Sequence, residues 1–361
     1  MAVELVKTTE RTYPIYLEQD FSRLPKAMEE AGLTGRTVCI ITDSNVDGLY
    51  GAQVQEALAP VSKKVHKIFF PAGEMQKNLG SIRHFYEAFF QAGLDRKSVI
   101  VALGGGVTGD MAGFAAATFL RGIAFVQIPT TLLAQVDSSV GGKVGVDFDG
   151  HKNAVGAFYQ PHFVYINAKT LRTLPKREFS AGMAEVIKYG PIWDMDFFSQ
   201  LEEKKEALLA LEEETLLSVI GRCCAIKAEV VGQDEKESGL REILNFGHTI
   251  GHAIETASRF SLLHGECVGL GMIAIGSLCE KRGTVEQGFT KRLSQLLEAF
   301  SLPLTVSGLT VEEIDRQMAF DKKVKNGAIG FVLLSSAGVP LRTTCVTEEE
   351  RKEAIAFVLA Q

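Results

Sequence analysis

A chain of 361 residues exceeds what one ordinary hydrophobic core serves, so two domains are expected. Its composition, 46% hydrophobic and 23% charged with mean hydropathy +0.10, is that of a globular protein, not a disordered or membrane-spanning one. The formal net charge of −6 excludes general attraction to nucleic acid or acidic membranes, so any anionic ligand needs a local cluster of bases.

Residues 1 to about 175 alternate strand and helix patterns. The run R-T-V-C-I-I-T (36–42) reads as a short buried strand ending in Asp43-Ser44-Asn45, which are turn and cap residues. A helix over 52–58 and a strand over 65–70 follow, and P-A-G-E-M-Q-K then sets Gly73, Glu74 and Lys77 just past the strand end. Helical spacing over 77–94, a strand over 98–103, a small-residue helix over 111–120 and a strand over 125–129 complete the series, which stops at Thr130-Thr131. Such alternation predicts a parallel sheet with helices on both faces. Ligands on such sheets bind beyond the carboxyl ends of the strands, where Asp43, Glu74, 104–110 and Thr130-Thr131 all fall. Between 137 and 158 the pattern turns to an Asp149-Gly150 β-hairpin that displays Asp137, Lys143, Lys152 and Asn153; an exposed loop with solvated lysines is the plainer alternative. Beyond 173–178 strand signals almost vanish. Helices over 179–189, 194–208, 212–232, 241–258, 264–282, 286–300 and 347–359, with one late strand at 330–335, make a largely helical second domain. The expected division is 1–177 and 178–361.

Six cysteines (Cys39, Cys223, Cys224, Cys267, Cys279, Cys345) show no disulfide-framework spacing and mostly sit in apolar runs, as thiols do in a reducing compartment. With no signal-type segment at M-A-V-E-L-V-K and no apolar run near the roughly 20 residues that span a bilayer, a cytoplasmic location is expected.

Three stretches carry chemistry. Gly104-x-Gly106-x-x-Gly109, with Gly105, Val107, Thr108 and Asp110, lies between a strand and a helix, where such a loop holds a dinucleotide pyrophosphate. It follows the third strand of the pattern, and no acidic residue stands about 20 positions on; Asp43 could hold a ribose instead, and a tight turn without ligand is the alternative. In A-G-M-A-E-V-I-K-Y-G, Glu185 and Lys188 lie on one helix in apolar surroundings, where a carboxylate is costly unless paired or metal-bound. The third stretch holds His248, His252 and His264. Read as one helix over 241–255, it aligns Arg241, Asn245, His248 and His252 in a stripe about 60° wide, while Gly247 and Gly251 suggest close packing or room for a ligand. Two of the histidines with Glu185 would make a His₂Glu site with an open position, as in catalytic zinc centres. Spacing does not choose which two. Lys227 and Asp321-Lys322-Lys323 add charges of open direction.

Taken together, G-E-x-x-K, G-G-G-V-T-G-D, F-L-R-G, P-T-T-L-L-A-Q-V-D-S-S-V-G-G-K, K-N-x-x-G-A-F, A-E-V-I-K-Y-G, L-R-E-I-L-N-F-G-H-T-I-G-H-A-I-E, H-G-E and D-K-K resemble, in order along nearly the whole chain, the 3-dehydroquinate synthase family of sugar-phosphate cyclases. The resemblance implies a Rossmann-like NAD-binding α/β domain followed by a mainly α-helical metal-binding domain, assembled as a homodimer. It implies conversion of 3-deoxy-D-arabino-heptulosonate 7-phosphate, a phosphorylated sugar acid, to 3-dehydroquinate and phosphate, the second step of the shikimate pathway. Glu185, His248 and His264 match the ligands of a divalent metal, zinc or cobalt, and His252 a position near the substrate phosphate. Asp43, Gly73, Glu74, Lys77, the 104–110 loop, Thr130, Thr131, Lys143, Lys152 and Thr170, Leu171, Arg172 and Thr173 match cofactor positions. Asp137, Lys143, Lys188, Lys227, Arg241 and Asn245 match substrate positions, with Lys152, Asn153, Arg121 and Lys322 or Lys323. That basic set suits a substrate with a carboxylate and a phosphate. Ala72 and His151 depart from the family, which usually has Asp and Gly there. A helix running from the nucleotide loop would carry Arg121 some 15 Å from the cofactor phosphates, so the match suggests that it serves the neighbouring subunit. Other sugar-phosphate cyclases and metal-dependent alcohol or glycerol dehydrogenases are the rival readings.

Overall fold

The computed structural model describes residues 2–320, 324–325 and 328–360. They fall into two compact units, 1–174 with 216–236 and 175–215 with 237–361. This differs from the expected division in two respects: the first boundary falls after Leu174, three residues early, and most of the Glu213–Gln233 helix belongs to the first unit. A Cβ on its Gly232 would lie 2.9 Å from the Lys7 carbonyl oxygen, and one on Gly221 3.0 Å from Leu17. An amphipathic pattern announces an apolar face but not the partner that covers it.

The first unit holds β1 (Ala2–Lys7), β2 (Thr12–Glu18), β3 (Thr37–Asp43), β4 (Lys64–Phe70), β5 (Val99–Gly104), β6 (Ala124–Pro129), the hairpin β7 (Lys143–Phe148) and β8 (His151–Phe158), and β9 (Val164–Asn167). One seven-stranded sheet runs β1-β2-β9-β6-β5-β3-β4, parallel except for β1. Strands β3 and β5 are unbroken apolar runs because both faces are covered. Cys39, Ile41, Ile100 and Ala102 meet the Leu79–Gln91 and Gly106–Thr118 helices; Val38, Ile40, Val99 and Val101 meet the Leu24–Glu30 and Ala52–Leu58 helices. From β3 the chain moves outward to β4, and from β5 the opposite way to β6, by helices on opposite faces. The carboxyl ends of β3 and β5 therefore flank a topological switch point, where open α/β sheets bind their ligands. The expected hairpin is present: Asp149 and Gly150 have φ of 49° and 77°, as a tight two-residue turn requires.

The second unit is helical. It comprises Lys176–Trp193, Met195–Leu209, His248–Ala257, His264–Lys281, Phe289–Ala299, Val311–Phe320 and Glu348–Phe357, with a hairpin of Phe331–Ser336 and Val339–Thr343. No helix among the described residues is long and apolar enough to cross a membrane. The expected continuous helix over 241–258 is broken. Leu240–Asn245 is a 3₁₀ turn, Gly247 is left-handed at φ 78°, and the α-helix starts at His248. A Cβ on Gly247 would lie 2.8 Å from both Met272 N and the Val268 carbonyl, so the break is also where two helices touch backbone to backbone.

One acid-stability consequence arises in the first unit. His162 precedes β9, its backbone N–H donates to the Phe125 carbonyl at 2.7 Å, and its buried Nδ1 has no partner among the described residues. Burial pushes its pKa from 6.5 down to about 4. The folded state stays neutral where the unfolded chain takes up a proton, so this stability is full above pH 6.5 and lost as pH falls to about 4. His162→Gln should flatten that arm by on the order of 2 kcal/mol. Urea midpoints across this range test it, and parallel curves for parent and variant would refute it.

Candidate active site

At the switch point the Gly106–Thr118 helix begins without a side-chain cap, leaving its first N–H groups available to an anion. A Cβ on Gly104 would lie 2.4 Å from Thr108 Oγ1, and one on Gly105 3.0 Å from Thr131, so the loop packs as only glycine permits. Asp43 at the end of β3 accepts from the N–H groups of Asn45 and Val46, and Thr108 Oγ1 donates to its other oxygen at 3.4 Å. Gly73 holds φ 120°, a backbone open to glycine. Four residues on, buried Lys77 donates to Asp110 Oδ2 and to Asn153 Oδ1, each at 2.6 Å, joining the β4 end, the glycine-loop helix and the hairpin. Burial opposes the Lys77 charge, yet Asp110 and Glu74 hold its pKa above the usual lysine value. Burial raises the Asp110 carboxyl in spite of Lys77.

The remaining first-unit candidates lie around this edge. Lys152 Nζ is 3.8 Å from exposed Glu74, and exposed Lys143 opens β7. Lys227 donates to the Asp137 carboxylate at 2.8 Å and to its carbonyl at 2.5 Å. Thr130 is buried, Thr131 Oγ1 accepts from the Ala134 N–H at 3.2 Å, and Thr170, Leu171, Arg172 and Thr173 lie in a 3₁₀ segment where Tyr50 meets Thr173. Arg121 is placed differently from expectation. The helix ends at Thr118, and Arg121 comes after it in a turn where Leu120 and Arg121 have φ of 51° and 70°.

In the second unit three helices are drawn to backbone contact. A Cβ on Gly271 would fall 1.9 Å from the Gly247 carbonyl oxygen, and one on Gly265 1.9 Å from that of Ala181. This proximity brings Glu185, His248 and His264 together. Glu185 Oε1 lies 3.4 Å from His248 Nε2 and 3.3 Å from His264 Nε2, and Lys188 donates to the other carboxylate oxygen. The expected ion pair and the expected cluster therefore coexist on one carboxylate. Burial alone would push Glu185 up; the Lys188 ammonium, then His248, hold it well below the usual range. His248 Nδ1 lies 3.1 Å from the Phe246 carbonyl, and His264 Nδ1 3.5 Å from Glu255 Oε2. In the tautomer that donates each Nδ1–H outward, which a bound cation would select, both Nε2 atoms would present lone pairs beside Glu185 Oε1, a buried oxygen without a hydrogen-bond partner among the described residues. With no cation there, burial opposes the His264 charge, yet Glu185 and Glu255 raise its pKa to about 9. Three such groups facing one point, each able to act as an acceptor, fit a cation. His252 is half-buried, its ring 5.3 Å from His248 and 5.5 Å from His264, and ring nitrogens of all three imidazoles lie within 4.8 Å of one another. A three-histidine set is thus a geometric rival to the one with Glu185. Arg241 is buried in the 3₁₀ turn, and Asn245 Nδ2 donates to Glu237 Oε1 at 3.0 Å. Because the helix breaks at Gly247, Arg241 and Asn245 do not share a helical stripe with the histidines. Lys322 and Lys323 lie outside the described residues.

Sequence reasoning passed over Glu237 and Glu255. Glu255 carried the signal that singled out Glu185, a carboxylate on an apolar helix face; Glu237 sits in a polar run, D-E-K-E-S, that marks nothing.

The architecture is that of the sugar-phosphate cyclases. A 2-deoxy-scyllo-inosose synthase, solved with carbaglucose-6-phosphate, NAD+ and Co2+, superposes with TM-score 0.89 at 27% identity over 99% of this chain and all of its own. A 2-epi-5-epi-valiolone synthase from Streptomyces hygroscopicus, with NAD+ and Zn2+, gives 0.88 at 27% over 98% of this chain and 99% of its own. The chain belongs to the 3-dehydroquinate synthase family: the N-terminal model of that family matches residues 67–181 and the C-terminal model 182–324. The 3-dehydroquinate synthase of Acetivibrio thermocellus is 49% identical over 352 residues, 97% of this chain and 98% of that one.

Proposed function

We propose that the chain is an enzyme of its family's reaction, converting 3-deoxy-D-arabino-heptulosonate 7-phosphate to 3-dehydroquinate and phosphate, with NAD and a divalent metal, as a homodimer. The observation that carries the reading is the convergence of His248 Nε2 and His264 Nε2 on buried Glu185 Oε1, in a chain 49% identical over 97% of its length to a 3-dehydroquinate synthase.

Glu185, His248 and His264 would hold the metal, and the 104–110 loop, Asp43, Gly73, Glu74, Lys77, Thr130, Thr131 and 170–173 the nucleotide. The metal would supply Lewis acidity and the nucleotide reversible hydride acceptance, neither being consumed. The chain's own residues bind and orient. Arg241 offers a fork suited to a carboxylate, while Lys143, Lys152, Lys188 and Lys227 supply point charges for carboxylate and phosphate oxygens. Asp137 fixes the Lys227 ammonium by two contacts, so that charge is aimed before any ligand arrives. Asn245, oriented by Glu237, and half-buried His252 can donate hydrogen bonds to substrate oxygens, and a neutral His252 can take a proton. Buried Lys188 keeps Glu185 ionised, and so keeps its charge available at Oε1.

Phosphate release from the heptulosonate phosphate should require NAD+ yet leave no net NADH. The assay follows inorganic phosphate and absorbance at the NADH band together, with sedoheptulose 7-phosphate and glucose 6-phosphate as alternative substrates. Stoichiometric NADH would place the protein among the dehydrogenases, and preference for a substrate without a carboxylate among the other cyclases.

A further inference from the structure

One buried amide in the first unit has no part in the chemistry above. Gln135 is fully buried, on a single π-helical turn, Ala134–Ser138, that also carries Asp137. Its Nε2 lies 3.2 Å from the Pro129 carbonyl, 3.3 Å from the Asn167 carbonyl and 3.1 Å from Thr170 Oγ1, donating among these acceptors. Pro129 is the last residue of β6 and Asn167 the last of β9. Among the described residues the ladder between these strands is paired only at Gln127 and Val164, whereas on its other side β6 pairs with β5 from Ala124 to Pro129. The two carboxyl ends therefore part, and a side chain from a third segment bridges the fork. The backbone of Gln135 is fixed as well: its N–H donates to the Thr131 carbonyl at 2.9 Å, and Cys224 Sγ donates to its carbonyl at 3.3 Å. Burying an amide where an aliphatic chain would fit is costly, and here its Oε1 has no partner among the described residues. Filling space does not account for that cost. The segments that leave the two bridged carbonyls do account for it: Thr130-Thr131 beyond β6, and 170–173 beyond β9.

We propose that Gln135 is a positioning residue whose amide braces the open fork between β6 and β9, fixing the separation of the Thr130-Thr131 and 170–173 segments for the nucleotide. The inference rests on the nucleotide reading above. Thr170 Oγ1 relays the brace, receiving from Gln135 and donating to the Asn167 carbonyl at 2.7 Å.

Gln135→Met keeps length and volume but removes both amide N–H groups. The parent and this variant, confirmed folded by circular dichroism at low temperature, are titrated with NAD+ by tryptophan or NADH-exchange fluorescence, and with zinc by chelator competition. The expected result is a roughly tenfold weaker NAD+ affinity with zinc affinity unchanged, since losing two neutral hydrogen bonds is worth about that factor. In steady state the KM for NAD+ should rise without a matching rise in the KM for the heptulosonate phosphate. If Gln135→Met does not fold, Thr170→Val removes one leg of the brace and should weaken NAD+ about threefold. NAD+ affinity within twofold of the parent, in whichever variant folds, overturns the proposal while leaving the nucleotide reading intact. A parent that does not bind NAD+ at all overturns both.

Discussion

Glu185→Gln is expected to emerge from purification without bound metal, whereas His252→Ala should retain it and turn over slowly. Removing an outer hydrogen-bond partner alone costs about 10–100-fold in metal affinity, so removing the carboxylate that faces both Nε2 atoms should cost more. The variant has a second effect that must be separated from the first. Lys188 is 1% exposed, and its ammonium donates to Glu185. Without that counterion a buried charge is stranded, at about 3–5 kcal/mol. A fall in melting temperature alone therefore says nothing about the ligand set. Adding Lys188→Met to Glu185→Gln removes the stranded charge and should restore much of the stability while leaving the metal absent. Metal content after dialysis, set beside the melting temperatures, decides between the two candidate sets. Metal retained in Glu185→Gln but lost in His252→Ala would mean that the three imidazoles, whose nitrogens lie within 4.8 Å, are the ligands.

The parts of this cluster were legible in the sequence for a physical reason. A carboxylate and imidazoles on otherwise apolar helices are expensive unless something meets them, and that expense is local to the residues carrying it. Its geometry was less legible. The stretch from Arg241 to Glu255 reads as one amphipathic helix because both glycines fit a helical face. Gly247 is left-handed, and Met272 N and the Val268 carbonyl would lie 2.8 Å from any Cβ there, so the position needs glycine because of residues 21 and 25 positions away. The core of the first unit obeys the same logic. Strands β3 and β5 announce themselves by unbroken apolar runs, and the β7–β8 turn by Asp-Gly. β1 and β2 escape notice because β1 is an edge strand with Val3 and Leu5 exposed and β2 contains Pro14. Four-residue β9 is too short to show a period, and Val311–Phe320 lacks any site residue to draw attention. Membership of 216–236 in the first unit depends on partners such as Lys7 and Leu17, which no local pattern encodes.

Arg121→Ala should reduce turnover by two orders of magnitude or more if Arg121 binds substrate phosphate in the homodimer proposed above, and its position argues that the site it serves is the partner's. The Gly106–Thr118 helix starts at the switch-point crevice proposed above to hold the nucleotide and, over 13 residues, carries the chain ~18 Å away from it. The chain then makes a left-handed turn through Leu120, Arg121 and Gly122, with φ of 51°, 70° and 111°. Two consecutive non-glycine residues in that region are strained by roughly 1–3 kcal/mol each. The turn is held from outside: Tyr159 Oη donates to the Ile123 carbonyl at 2.7 Å and would lie 3.2 Å from a Cβ on Gly122. The strained turn, braced by a tyrosine, holds the backbone of an exposed arginine beyond the far end of the helix that starts at the crevice. A solvated arginine favoured by the helix C-terminus would need no such turn. Arg121→Ala and Lys152→Ala, each inactive alone, should be unfolded and refolded together. If Arg121 crosses the two-fold interface, each hybrid dimer has one site with both lesions and one intact. Random pairing makes about half the dimers hybrids, so roughly a quarter of the parent activity should return. If Arg121 served its own subunit, each site of the hybrid would carry one lesion and the mixture would stay as inactive as its parents.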